Sequence, residues 1–268
     1  MVVKARFSVR NQPGFVAIAA ICMFALYLPI CTYVAYAFNS SGTGNGWDGF
    51  TLKWFGIAWQ NREIQDAAWR SLQIAVVAAT VATIMATLAA VATTRTAPYR
   101  GLTLKYVLIN QPLIVPEIVT AVALLIFFAR IKVWTDYSGM GYLFIAHTAF
   151  CIPFAYLPIR ARLEGMDLTL ETAASDLYAN GWQTFREVTL PLLWPGIIAG
   201  YMLAFVISLD DVVITDFIKS GGQDTLPTFM LGQIRRSISP ELNAAATGFL
   251  ALSVLAVTVF YLINRKRN

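Results

Sequence analysis

An all-α integral membrane protein with six transmembrane helices is the fold class that this sequence predicts, on three observations. Of 268 residues, 57% are hydrophobic and only 13% are charged, and mean hydropathy is +0.61, whereas a soluble domain carries about 25% charged residues. The apolar residues gather into runs close to the roughly 20 residues a helix needs to cross the hydrocarbon at 1.5 Å per residue. Those runs lack the period-two alternation of barrel strands. Such a chain has too few polar groups to cover its own surface in water, so lipid is its natural solvent.

The expected spans follow in chain order. The first, 14–38, comes after a basic start of Lys4, Arg6 and Arg10. Ala35-Tyr36-Ala37 has the small-x-small form of a cleavage site, but the apolar stretch far exceeds a signal core of about 7–15 residues, which predicts an uncleaved first helix. The second span, 71–94, contains no charge, and the third, 106–129, is interrupted only by Glu117. The fourth, fifth and sixth are 138–158, 190–212 and 242–264. No low-complexity tract, internal repeat or separate soluble domain is evident, so residues 1–268 read as a single transmembrane domain.

Three connections are long enough to have a role of their own. The segment 39–69 begins Asn-Ser-Ser-Gly-Thr-Gly-Asn-Gly, which is turn chemistry. The segment 210–241 contains Gly221-Gly222 and ends in Ser239-Pro240-Glu241. That triplet predicts a helix start, with Ser as N-cap, Pro in the first turn and Glu against the dipole. The segment 167–191 is charged and partly amphipathic.

Six crossings put both termini on one side. With the N-terminus cytoplasmic, the inner segments hold Lys4, Arg6, Arg10, Arg95, Arg100, Lys105, Arg160, Arg162, Arg186, Arg265, Lys266 and Arg267, a majority of the 20 basic residues. The net charge of +5 therefore reads as membrane-flanking charge rather than a nucleic-acid surface. Cys22, Cys31 and Cys151 all lie in apolar runs. Their odd number and the absence of CxxC spacing argue against disulfides or zinc and predict small buried thiols.

Within 167–191, Leu170, Ala173, Ala174 and Leu177 fall at helical spacing and give a short helix one apolar stripe. Asn180-Gly181 supplies a turn, a second short amphipathic stretch carries Phe185 and Val188, and Pro191 marks entry to the fifth span. Two short helices with small apolar residues on one face suit the groove of a partner protein.

This segment resembles the cytoplasmic signature of the permease subunits of type I ABC importers, which reads Glu-Ala-Ala, three residues, Gly, nine residues, Ile, one residue, Leu-Pro. In the register set by Leu190-Pro191, Ala173 and Ala174 take the alanine places and Val188 the Ile place. Thr172 stands where Glu is usual and Tyr178 where Gly is usual; Glu171 comes one position early and Gly181 three positions late. The resemblance extends to Gln111-Pro-Leu-Ile-Val-Pro-Glu117, Ser208-Leu209-Asp210-Asp211-Val212-Val213, Thr225-Leu226-Pro227 and Ser239-Pro240-Glu241-Leu242-Asn243-Ala244, which look like the spermidine/putrescine branch. It implies the type I ABC importer transmembrane-domain fold in a bacterial inner membrane. The implied partners are a homologous permease, two ATPase subunits that bind ATP and Mg, and an extracytoplasmic binding protein. It also implies a coupling role toward the ATPase for Glu171, Thr172, Ala173, Ala174, Tyr178, Gly181 and Pro191. Permeases for opines, phosphonates, thiamine and iron share much of the pattern.

The candidate pathway residues are carboxylates. Glu117 lies near the middle of the third expected span, where a charge costs about 2.5–3.5 kcal/mol and so should face protein or water. Pro112 and Pro116 before it predict a weakened or broken helix. A cation pathway and a structural cap are both open to it. Asp210 and Asp211 close the fifth span, with Asp216 beyond them. Adjacent carboxylates would draw a polycation into a narrow path; the alternative is a helix cap or a gate ion pair with Arg235 or Arg236. His147, the one histidine, reads as hydrogen-bonded packing.

No Gly-x4-Gly-Lys-Ser/Thr loop, His-Glu-x-x-His or Gly-x-Ser-x-Gly occurs, so the chain carries no recognisable machinery for hydrolysing ATP and no cofactor site of its own. The competing class is a membrane enzyme or signalling anchor using Glu117 and the Asp pair, yet spans three and five offer no nucleophile beside them.

Overall fold

A computed structural model describes residues 14–42, 46–96, 100–235 and 239–265. Lys4, Arg6, Arg10, Arg236, Lys266, Arg267 and part of the turn-rich stretch after Asn39 lie outside the described residues. The chain divides into two compact units, residues 1–61 with 234–251 and residues 62–233 with 252–268.

In the first unit, α1 (Phe15–Ala37) is apolar on every side and exposed along most of its length, as befits a helix solvated by lipid. Cys22 and Cys31 lie on this exposed surface. The expectation of three buried thiols therefore holds for Cys151 alone, because a small thiol is as much at home against lipid as in a core. After α1 the chain makes an antiparallel bridge between Asn39 and Phe50. The buried Asn39 side chain organises the turn: its Oδ1 accepts the amides of Ser41 and Asp48, and its carbonyl accepts Trp54 Nε1–H at 2.7 Å. Phe38 packs between Phe50 and Phe55, the latter on α2 (Lys53–Gln60). The connection 39–69 is thus half helical rather than loop.

The second unit opens with α3 (Arg62–Thr94), about 50 Å long at 1.5 Å per residue. It starts nine residues before the expected span, since Arg62, Glu63, Asp66 and Arg70 extend the helix beyond its apolar stretch. Next come α4 (Leu102–Ile109) and α5 (Gln111–Ile114), then a break. Val115 is extended (φ −88°, ψ 135°), as a residue before proline prefers. Pro116 stands as N-cap of α6 (Glu117–Thr135). This corrects the expected third span: 106–129 is not one helix, and the crossing helix is shifted toward the C-terminus. An apolar run does not reveal on which side of a proline the helix resumes. The extension admits Arg130 and Lys132, whose long side chains can carry their charges outward.

The fourth crossing is α7 (Gly141–Glu164), with Pro153 and Pro158 inside it. After α8 (Thr169–Asp176) come α9 (Gly181–Thr184) and a π-helical turn, Phe185–Thr189, which runs directly into α10 (Leu190–Asp210). Beyond α10 lie α11 (Val213–Ile218) and α12 (Leu226–Ile234). Finally α13 (Pro240–Arg265) begins at the expected proline with Glu241 in its first turn. Among the described residues, α1, α3, α6, α7 and the continuous helix Gly181–Asp210 are long and apolar enough to cross a membrane. At 26 residues α13 covers the sixth expected span and is long enough by length.

The core of the second unit is the triangle of α3, α7 and α10. Lipid is as apolar as leucine, so helices in a membrane associate through close packing rather than water expulsion. The sequence meets that need with small residues. Ala75, Ala78, Ala79, Ala82, Ala86 and Ala90 recur on one face of α3 and are completely buried. On α10, a Cβ added at Gly200 would sit 2.6 Å from the carbonyl oxygen of Ala155, and one at Gly196 would sit 2.7 Å from Arg162 Cβ. The backbones of α7 and α10 therefore nearly touch. Gly200→Val is expected to lower the stability of the purified protein in detergent by about 1–3 kcal/mol through overpacking, while Gly232→Ala, whose added Cβ meets nothing within 4 Å, does not lower it. Equal melting of the two variants would contradict this packing.

Candidate functional site

Two groups of polar residues lie at opposite ends of α10, about 30 Å apart by helix rise. The first is the segment 167–191. Asp167 accepts the amide of Thr169 at 2.9 Å, and this hydrogen bond holds its carboxyl below the usual range. Helix α8 then ends in a Schellman motif, in which the amide of Ala179 reaches the carbonyl of Ala174 (3.0 Å) and that of Tyr178 the carbonyl of Ser175 (2.9 Å). Such an ending requires a left-handed residue, and Tyr178 supplies it at φ +63°. The tyrosine at the glycine place of the signature thus keeps the glycine-type backbone, at a cost of about 1–2 kcal/mol. Asn180 and Gln183 form a capping box that starts α9.

The apolar stripe of this segment is largely exposed, with the Trp182 ring tilted against Phe185. Ala173 is exposed, and Leu177, Tyr178 and Trp182 are 82%, 96% and 68% exposed. Glu171 points inward instead. Its Oε1 receives Nε–H of Arg95 and the hydroxyl of Thr189, each at 3.0 Å. Thr172 and Ser175 turn their hydroxyls onto carbonyls one turn back, at Leu168 and Glu171. Gly181 opens α9, and Pro191 is the second residue of α10, directly after the π-helical turn.

At the other end, the structure separates the two aspartates. Asp211 is buried and takes over the start of α11: its carboxylate accepts the amides of Ile214 (3.3 Å) and Thr215 (3.1 Å) and the Thr215 hydroxyl (3.3 Å). His147 of α7 bonds Ser208 of α10 through Nδ1 and Thr215 of α11 through Nε2, both at 2.9 Å, and its Nε2 lies 4.0 Å from Asp211. Three elements are joined by one buried polar network. The packing role read for His147 agrees with this geometry; nothing in the sequence pointed to Ser208 and Thr215 as its partners.

Asp210 faces outward and is exposed, and Glu117 is partly exposed at the first turn of α6. Neither has a hydrogen bond or ion pair among the described residues. Because α11 packs on α6, Glu117 and Asp211 feel one another's charge. Asp216, Lys219 and Asp224 form a separate cluster, with Lys219 Nζ 2.6 Å and 2.7 Å from the two carboxylates. Burial works against the Lys219 charge, but the flanking aspartates outweigh it and raise its pKa. Within this unit the partner of Asp216 is Lys219.

The family described as "Binding-protein-dependent transport system inner membrane component" matches residues 82–267. The chain is 35% identical to the putrescine transport system permease protein PotI of Escherichia coli K12, over 95% of this chain and 92% of that one. It is 36% identical to the spermidine/putrescine transport system permease protein PotC of Haemophilus influenzae, over 98% and 99%. Among solved structures, a bacterial alginate ABC transporter in complex with its alginate-loaded periplasmic protein superposes with TM-score 0.69 at 15% identity, over 93% of this chain and 91% of that one. This last likeness speaks for the fold.

The capping geometry sets apart the two substitutions most natural at Asp211. Asp211→Ala leaves two buried amides unanswered and is expected to lower thermal stability by about 1–2 kcal/mol, whereas Asp211→Asn, an equally good cap, retains most of it. Equal melting of the alanine variant and the parent would remove this role.

Proposed function

The chain belongs to the binding-protein-dependent transport system inner membrane components, and from that premise we propose that it forms part of the translocation path for polyamines such as putrescine and spermidine. It is a permease subunit of an ATP-binding-cassette importer, a multi-pass protein of the inner membrane and not itself an enzyme. A homologous permease completes the path, two ATPase subunits bind ATP and Mg beneath it, and an extracytoplasmic binding protein delivers the solute. Both termini are cytoplasmic. The majority of basic residues in the inner segments supports this orientation, and so does the pairing of Arg95 with Glu171, which keeps the end of α3 and the segment 167–191 on one side.

The observation that carries the polyamine reading is the 35–36% identity, over nearly the whole chain, to permeases named for putrescine and spermidine. The unpaired carboxylates fit it. Glu117 stands at the N-terminus of α6, where the helix dipole is equivalent to about half a positive charge. That field stabilises the ionised carboxylate, and a full negative charge exceeds it, so the site remains net attractive to a cation. Asp210 offers a second such point. Separated ammonium groups on an apolar chain suit separated carboxylates with apolar walls.

The fold suits the following coupling. Closure of the ATPases displaces the segment 167–191, and the helices continuous with it rock between outward-open and inward-open states. Glu171, Thr172, Ala173, Ala174, Tyr178, Gly181 and Pro191 shape the docking surface or its hinges. Reconstitution of the complete importer in vesicles tests the substrate. ATP-dependent uptake of labelled putrescine or spermidine is expected, with thiamine, iron, opines and phosphonates left outside. Glu117→Gln and Asp210→Asn should each lower the polyamine uptake rate several-fold without loss of assembly. Uptake of one of the other solutes instead would end the polyamine reading, and full activity in both variants would retire these carboxylates.

A further inference from the structure

Glu171 is the residue before the signature's own acidic place, and its carboxylate is occupied inside the chain rather than offered to a partner. A single oxygen, Oε1, binds Arg95, which directly follows the last residue of α3, and Thr189, the last residue of the π-helical turn before α10. Three elements meet at that atom, one of them 76 residues from Glu171 in the sequence. The side chains of Arg95 and Glu171 are only 17% and 18% exposed, so the pair is less screened than a surface salt bridge. Arg95 Nη2 is buried without an acceptor, which leaves Glu171 as the anion that balances this guanidinium among the described residues.

The surroundings give the ion pair a mechanical character. A cavity of about 550 Å³ opens beside it, lined by Val91, Thr94, Leu168, Ser175 and Phe185 among others. The principal packing of α8 is on α9 and the π-helical turn. Where α8 faces the end of α3, the polar bridge spans space that side chains do not fill. Thr189 is buried, and π-helical turns, which place an extra residue in a helix, gather at functional sites.

We propose that Arg95, Glu171 and Thr189 form a strut that makes α3 and α10 follow α8 when the ATPases move it. They are positioning residues for coupling and do not touch the solute. The inference rests on the docking reading above. Without the strut, displacement of α8 is absorbed by deformation into the cavity, and ATP is spent without movement of the core. With it, the push enters two of the three close-packed core helices at once.

The test measures solute imported per ATP hydrolysed in vesicles holding the complete importer, with co-purification of all subunits as the control for assembly. In Glu171→Ala this ratio is expected to fall about tenfold while the complex still co-purifies. The charge swap Arg95→Glu with Glu171→Arg should return it to within about threefold of the parent. Should the alanine variant fail to assemble, Glu171→Gln carries the same test, since it keeps shape and acceptor but loses the charge, and an intermediate ratio is expected. An unchanged ratio in these variants, or a swap that rescues nothing although it assembles, overturns the strut. A parent complex that hydrolyses ATP with no import overturns the docking reading itself, and the two failures are thereby distinguished.

Discussion

Where α3, α7 and α10 meet, their backbones approach to the limit that alanine and glycine allow. Gly200 lies against the carbonyl of Ala155, and a stripe of fully buried alanines runs along α3. In lipid this closeness is itself the source of cohesion, because dispersion between tightly fitted surfaces replaces the expulsion of water. A close-packed interface switches between discrete arrangements and does not deform continuously. The three helices are therefore suited to move as a body, and α10 carries a polar assembly at each end of that body.

The two ends solve opposite problems. At one, Asp211, His147, Ser208 and Thr215 satisfy each other where water is scarce, so that α11 starts in a fixed direction from the end of α10. Two carboxylates, Glu117 and Asp210, have no hydrogen bond or ion pair among the described residues and are at least partly exposed. At the other end, Glu171 uses its charge internally, while Leu177, Tyr178 and Trp182 remain uncovered. Accessible carboxylates toward one end of α10 and an exposed apolar stripe at the other are the features on which the proposed transport and coupling roles draw.

Much of this was legible in the sequence. Apolar runs pointed to the five helices that are long and apolar enough to cross among the described residues, because hydropathy is a property of the letters themselves. Ser239-Pro240-Glu241 marked a helix start, because capping chemistry is local. The break at Pro116 was foreseen as a weakness, but its consequence, a crossing helix shifted to Glu117–Thr135, depends on which flank packs against α11. Asp210 and Asp211 looked like one acidic feature. Asp210 is the last residue of α10 and faces outward, whereas the extended backbone of Asp211 (φ −63°, ψ 131°) turns its side chain inward to cap α11. His147 was read as packed, yet Ser208 and Thr215 lie 61 and 68 residues away. Glu171 was noted for its place beside the signature, and its strut partner Arg95, 76 residues upstream, was visible only as a membrane-flanking charge. Pairings at that distance are set by tertiary packing. Tyr178 is the instructive case: the letter departs from the signature while the backbone angle keeps to it.

The account stands on the passage of motion from a nucleotide-hydrolysing neighbour into the membrane through the segment 167–191. Cysteine cross-linking in the assembled importer measures this directly, with single cysteines at the exposed positions Ala173 and Leu177 and an ATPase subunit as the target. The account predicts efficient cross-links to the ATPase at both positions, with yields that change between the nucleotide-free and ATP-bound states. Cross-links to no ATPase, or reaction of these positions from the extracytoplasmic side, would contradict it.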